Sequence, residues 1–195
     1  MGYSRTEKDR THKRIVAIAS RRFRESGLAG IGIADLMKEA GLTVGGFYKH
    51  FKSRDDLVAE AVGSAFGTWK RQTDAAATEG APLSSAKLID DYLNEAHRDN
   101  PGKGCAFSAL APEIARTGKR IRSLATEQIR NDIDLLAGLV CSRNGKRDDA
   151  ARSKAILLFS ALVGAMALAR AVSDDPLSRE ILKSVAATVK RLQAP

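Results

Sequence analysis

The 195 residues predict an all-α chain of about nine helices: a short basic unit over residues 1–52, followed by a larger helical region over 53–195. Three observations carry this. Apolar residues recur at three- and four-residue spacing along most of the chain, and no segment alternates apolar with polar residues over more than a few positions. Clusters of glycine, proline, serine and asparagine fall between the periodic stretches, where helix connections belong. A composition of 44% apolar and 28% charged residues is that of a globular protein, with no internal repeat or low-complexity stretch.

In the first helix, over about 6–26, Ile15, Ile18, Ala19 and Phe23 share one face, arginines and lysines cover the other, and Gly27 supplies a stop. Ile33, Leu36, Met37 and Ala40 give a second helix of about eight residues, capped by Gly32 and closed by Gly41; it is too short to stand without packing. Thr43 caps a third short helix with Val44, Phe47 and Phe51 on one face, completing a three-helix core with Ile15, Phe23 and Leu36.

Ser53, with Asp56 three residues on, approximates a capping box and opens a connector helix predicted to run through Trp69 to about residue 78. After the loop "TEGAPLSS", helical patterns resume over about 84–98, 105–117, 119–142, 148–172 and 177–192, separated by "RDNPGKG", "RNGKR" and "SDDP". The apolar stretch 155–169 is shorter than the ~20 residues a bilayer requires and contains Ser160, so it reads as a packed helix and no membrane partner is expected. The absence of a leader pattern and the presence of two cysteines, Cys105 and Cys141, suggest a cytoplasmic, reducing home.

Charge is uneven. Residues 1–52 hold 11 basic and 5 acidic side chains, most of the chain's net +9, and favour a polyanionic partner. Two short helices joined by the turn "AGLT" form a helix-turn-helix, whose second helix presents its N-terminal residues to the major groove. Gly45 and Gly46 lie in that first turn, where missing side chains permit close approach of the backbone to DNA. Thr43 and Val44 share this end, while Tyr48, Lys49, His50 and Lys52 follow as donors for phosphate oxygens, Lys49 being the candidate base reader.

These residues resemble the TetR-type bacterial transcriptional regulators. The matching stretches are Gly27, "LMKEAGLT" ending at Thr43, "GFYKHF" over 46–51 and "KSRDDL" over 52–57. One departure is "GIGI" over 30–33, which brings no hydroxyl to the cap of the second helix. The resemblance implies a homodimeric repressor that binds a near-palindromic double-stranded DNA operator and is released by a small-molecule effector. It also implies a C-terminal ligand-binding and dimerisation domain whose last two helices pair with their mates. Leu158, Ala161, Leu162 and Ala165 with Ile181, Val185 and Val189 are the expected dimer face, and the small residues among them suit close helix approach. Trp69, Cys105, Phe107 and Leu110 are the expected ligand-pocket residues.

Cys105 follows Lys103 at a helix start, a setting that favours thiolate, so electrophile sensing stands as an alternative to reversible ligand binding. An effector-independent architectural DNA binder is a further alternative. No enzyme is expected, because no nucleophile elbow, Walker motif or acid/base constellation appears. His12, His50 and His97 share no metal-ligand spacing, so neither metal nor cofactor is expected.

Overall fold

The computed structural model describes residues 5–78, 80, 84–140 and 149–192. Among the described residues the chain forms ten α-helices and two short 3₁₀ helices, with no strand. The backbone falls into two compact units, one of Met1–Phe66 with Pro101–Ala125 and the other of Gly67–Asn100 with Thr126–Pro195. The functional boundary expected at 52/53 lies inside the first unit.

In the first unit, α1 (Arg5–Ser26) buries Ile15, Val16, Ala19 and Phe23, while Ile18 stays half-exposed. α2 (Ile33–Glu39) adds Leu36 and Met37, and Gly32 caps it without a side-chain hydrogen bond. Gly41, at φ 70°, turns the chain out of α2 through the left-handed region that a side chain disfavours. The third helix of the core is a 3₁₀ helix, Val44–Lys49, rather than an α-turn. Phe47 at its centre and Phe51 just beyond are buried, but Val44 is 49% exposed and does not join the core as its spacing suggested. Each fully buried phenylalanine contributes roughly 1.5–3 kcal/mol, so Phe47 and Phe51 suffice to seat so short an element.

α3 (Arg54–Ala65) starts at Ser53, whose hydroxyl accepts the Asp56 N–H at 3.1 Å, as the capping pattern predicted. The expected unbroken connector does not form. Phe66 is extended at φ −77°, ψ 167°, Gly67 takes φ 73°, and α4 (Thr68–Thr78) begins afresh. Once Gly67 occupies the left-handed region, α3 cannot propagate its hydrogen bonds. The division between the two compact units falls at this break. The remaining members of the first unit are a 3₁₀ turn (Pro101–Lys103), α7 (Ala106–Ile114) and the start of α8 (Lys119–Val140).

The second unit shows a second split. The helix expected over 84–98 is α5 (Ser85–Tyr92) and α6 (Glu95–Asp99), interrupted where Leu93 leaves helical geometry and the Asn94 side chain accepts the His97 N–H. α9 (Asp149–Ala171) and α10 (Asp175–Arg191) pack on each other, and Asp174 caps α10 by accepting the Leu177 N–H. α9 meets the length and hydropathy of a bilayer span, at a mean hydropathy of 1.7. It is nonetheless a packed helix: Leu158, Phe159, Leu162, Ala165, Met166 and Ala169 are all buried.

Candidate DNA-binding surface and regulatory residues

The recognition element is built on Phe47. With Phe47 inward and set edge-on to Tyr48 at a centroid distance of 5.2 Å, the adjacent residues are turned outward. Tyr48 is 71% exposed, and Thr43, Val44, Gly45, Lys49 and Lys52 are exposed around it. The exposure of Val44 that excludes it from the core places it on this same surface. The two glycines differ. A Cβ on Gly45 would meet nothing within 4 Å, whereas one on Gly46 would lie 3.6 Å from Met37 Cε. Gly45 is therefore the position that leaves open space outside the helix, and Gly46 partly faces α2.

His50 does not project as freely as its neighbours. It is half-buried, its ring centroid lies 5.9 Å from that of His12, and its Nδ1 is buried with no hydrogen-bond partner. Burial, helped by His12, Lys8 and Lys49, pushes the His50 pKa below the usual imidazole value. Nε2 is left as the ring nitrogen that can donate. His12 is held from two sides, its ring stacked on Phe51 at 4.6 Å and its Nε2 donating to Glu60 Oε2 at 2.6 Å. The sequence gave no signal for this pairing, because 38 and 48 residues separate His12 from His50 and Glu60. No group of three metal-ligating side chains occurs among the described residues.

The segment 101–125 is fastened to the DNA-binding helices by polar contacts that spacing could not reveal. Arg24 of α1 donates to the Gly102 carbonyl, Glu113 of α7 accepts the Leu28 N–H at 2.6 Å, and Arg120 of α8 pairs with Asp56 of α3. The Arg120 guanidinium holds the Asp56 carboxyl below its ordinary range. Cys105 caps the start of α7 in this unit, Phe107 stacks on Phe66 at 5.0 Å, and Leu110 is buried. Trp69 belongs to the other unit, where its ring meets Tyr92 at 5.4 Å and Phe159 at 5.5 Å. The four residues expected to line one pocket are thus members of two separate packing groups. Cys141 lies outside the described residues.

The residues expected at a dimer face divide as well. Leu158, Leu162, Ala165 and Val189 are buried by the chain's own packing, so they have no area left to lose to a partner. Ala161, Ile181 and Val185 keep partial exposure. Beside them stand exposed leucines at helical spacing: Leu157 and Leu168 on α9, at 54% and 59%, and Leu177 and Leu192 on α10. The period was read correctly and its phase was displaced by about one residue on α9.

Comparison with known proteins agrees with this geometry. Residues 15–61, which cover α1 to α3, match the model of the bacterial regulatory proteins of the tetR family. The chain is a TetR-type transcriptional regulator. An HTH-type transcriptional regulator of Haemophilus influenzae is 22% identical to it over 190 residues, covering 93% of this chain and 90% of the relative. The regulator shares its fold with a TetR-family regulator from Cytophaga hutchinsonii, with a TM-score of 0.75 at 22% identity, covering 95% and 96% of the two chains. The reduced form of Escherichia coli NemR is similar too, with a TM-score of 0.74 at 20% identity over 93% and 96%.

Proposed function

We propose that this regulator is a homodimeric, ligand-responsive repressor of the cytoplasm that binds a near-palindromic operator through Thr43, Val44, Gly45, Gly46, Tyr48, Lys49, His50 and Lys52. The observation that carries the reading is the pairing of a basic, side-chain-sparse recognition element with a separate region whose last two helices keep an apolar face. DNA binding needs only the former. Two recognition helices about 34–36 Å apart, or a multiple of it, engage successive major grooves on one face of a duplex. Dimerisation through α9 and α10 would set that spacing. An effector bound in the second unit beside Trp69 would alter it, lowering operator affinity by a coupling energy of typically ~1–3 kcal/mol.

The test is to recover the DNA fragments that the purified protein selects from its own genome and to measure stoichiometry on the best one. Two chains per near-palindromic site support the reading. Saturable binding without sequence preference would instead make the protein an architectural DNA binder.

A second reading rests on Cys105. It stands three residues after Gly102, whose carbonyl is held by Arg24 of α1, so a modification there acts next to a DNA-binding helix. In this reading the Cys105 thiolate is the electrophile sensor. Iodoacetamide alkylation that releases operator from the wild type but not from Cys105→Ser would favour it over a reversible ligand.

A further inference from the structure

Asp132 is the one charged side chain buried beyond nine-tenths among the described residues, at 7% exposure. It lies on the part of α8 that belongs to the second unit, and the helix repeat fixes its direction: Ile133, Leu136 and Ala137 are buried on the same side. Gln128, one turn earlier, donates from Nε2 to Asp132 Oδ1 at 2.8 Å. No other hydrogen bond and no ion pair reaches the carboxyl from a described residue. This is notable in a chain with 32 lysines and arginines, several of which pair with carboxylates at the surface. A neutral amide offsets only part of a buried charge, and an uncompensated carboxylate in an apolar stripe is destabilising unless something else supplies the positive charge. The same unit buries three aromatic rings in mutual contact, Trp69, Tyr92 and Phe159, and aromatic faces attract cations.

We propose that Asp132 is the anionic anchor of the effector site in the second unit, and that the effector is a hydrophobic organic cation. The proposal rests on the ligand-responsive reading above and names the chemical class of that ligand. A neutral or anionic apolar effector entering the same space would leave the carboxyl unpaired or repelled. A cation removes the penalty that the empty site carries, so charge selects the ligand and the apolar and aromatic lining supplies the remaining contact.

The experiment compares two probes of nearly equal shape and opposite fixed charge, tetraphenylphosphonium and tetraphenylborate, by calorimetric titration into the full-length dimer without DNA. Tetraphenylphosphonium is expected to bind the wild type, to bind Asp132→Asn at least tenfold more weakly, and to bind Asp132→Glu with most of the wild-type affinity; tetraphenylborate is expected not to bind the wild type. Circular dichroism identifies a variant that has lost its fold, and the wild-type comparison of the two probes stands without any variant. Equal binding of both probes, equal affinity of wild type and Asp132→Asn for the cation, or no binding of the cation would each overturn the proposal. Operator release is measured separately by fluorescence anisotropy of a labelled duplex. Cation binding through Asp132 without release sustains the site and overturns its role as the effector site; release by tetraphenylborate alone sustains the effector reading and overturns the cationic class.

Discussion

At the scale of single residues, two side chains make opposite demands on charge. Lys52 is exposed beside the recognition element and serves as a phosphate contact in the proposed complex. Lys52→Ala should weaken binding similarly across operator variants and flatten the log–log salt dependence by about one unit of slope; an unchanged slope would take Lys52 off the interface. For Asp132, burial raises the pKa to about 6, against the opposing hydrogen bond from Gln128. The sign follows from proton counting. Between the unfolded value near 3.8 and about 6 the folded state holds the extra proton, so stability falls as pH rises through this window and stays low above it. Asp132→Asn, neutral at every pH, should be more stable than the wild type at pH 7 by on the order of 1–3 kcal/mol, and the difference should close near pH 4. Thermal unfolding at the two pH values measures both; a variant less stable at pH 7 would mean that the carboxylate has a compensating partner.

At the scale of elements, the recognition helix was legible in its position and illegible in its type. The spacing of Phe47 and Phe51 located it, but six residues that include two adjacent glycines close 3₁₀ turns, and that choice turned Val44 outward. Period alone could not separate Gly45 from Gly46, since the difference lies in where the Met37 side chain ends. A prediction follows from that difference. Gly45→Leu projects into open space and should keep the helical circular dichroism of the wild type while reducing operator binding by well over tenfold, because the added side chain occupies the approach to the groove. Gly46→Leu presses on Met37 and should lower the melting temperature as well. If Gly45→Leu binds operator normally, the first turn is not at the DNA. The connector shows the same limit. Its capping residue was readable at Ser53, whereas its break depends on Gly67 adopting φ 73°, and a glycine within a helical pattern carries no mark of its backbone conformation. Long-range polar contacts such as Glu113 with the Leu28 N–H and His12 with Glu60 have no sequence period at all, so folding alone discloses them.

At the scale of the whole molecule, the question is how two recognition elements are brought to one operator. α9 and α10 already bury each other through Leu158, Leu162, Ala165, Leu182, Ala186 and Val189, so these residues hold the chain's own core and substitutions there test folding rather than assembly. What remains is a face of Leu157, Ala161, Gly164 and Leu168 on α9 with Leu177, Ile181, Val185 and Leu192 on α10, spaced by threes and fours as a helix-pairing seam requires. In an isologous dimer each substitution enters the interface twice, once from each chain, so a single charge is amplified. Leu168→Lys should therefore yield a folded monomer: the side chain is exposed in the single chain and can remain hydrated there, but burial at the two-fold contact would desolvate two like charges at a cost of several kcal/mol. Sedimentation velocity should show a species of half the wild-type mass, circular dichroism should stay helical, and affinity for a full operator should fall to that of a half-site. Ala165→Arg is the contrasting variant, expected to unfold because it forces a guanidinium into the core of a single chain. A folded Leu168→Lys dimer would move the assembly surface off α9, and a folded Ala165→Arg monomer would return Ala165 to the interface.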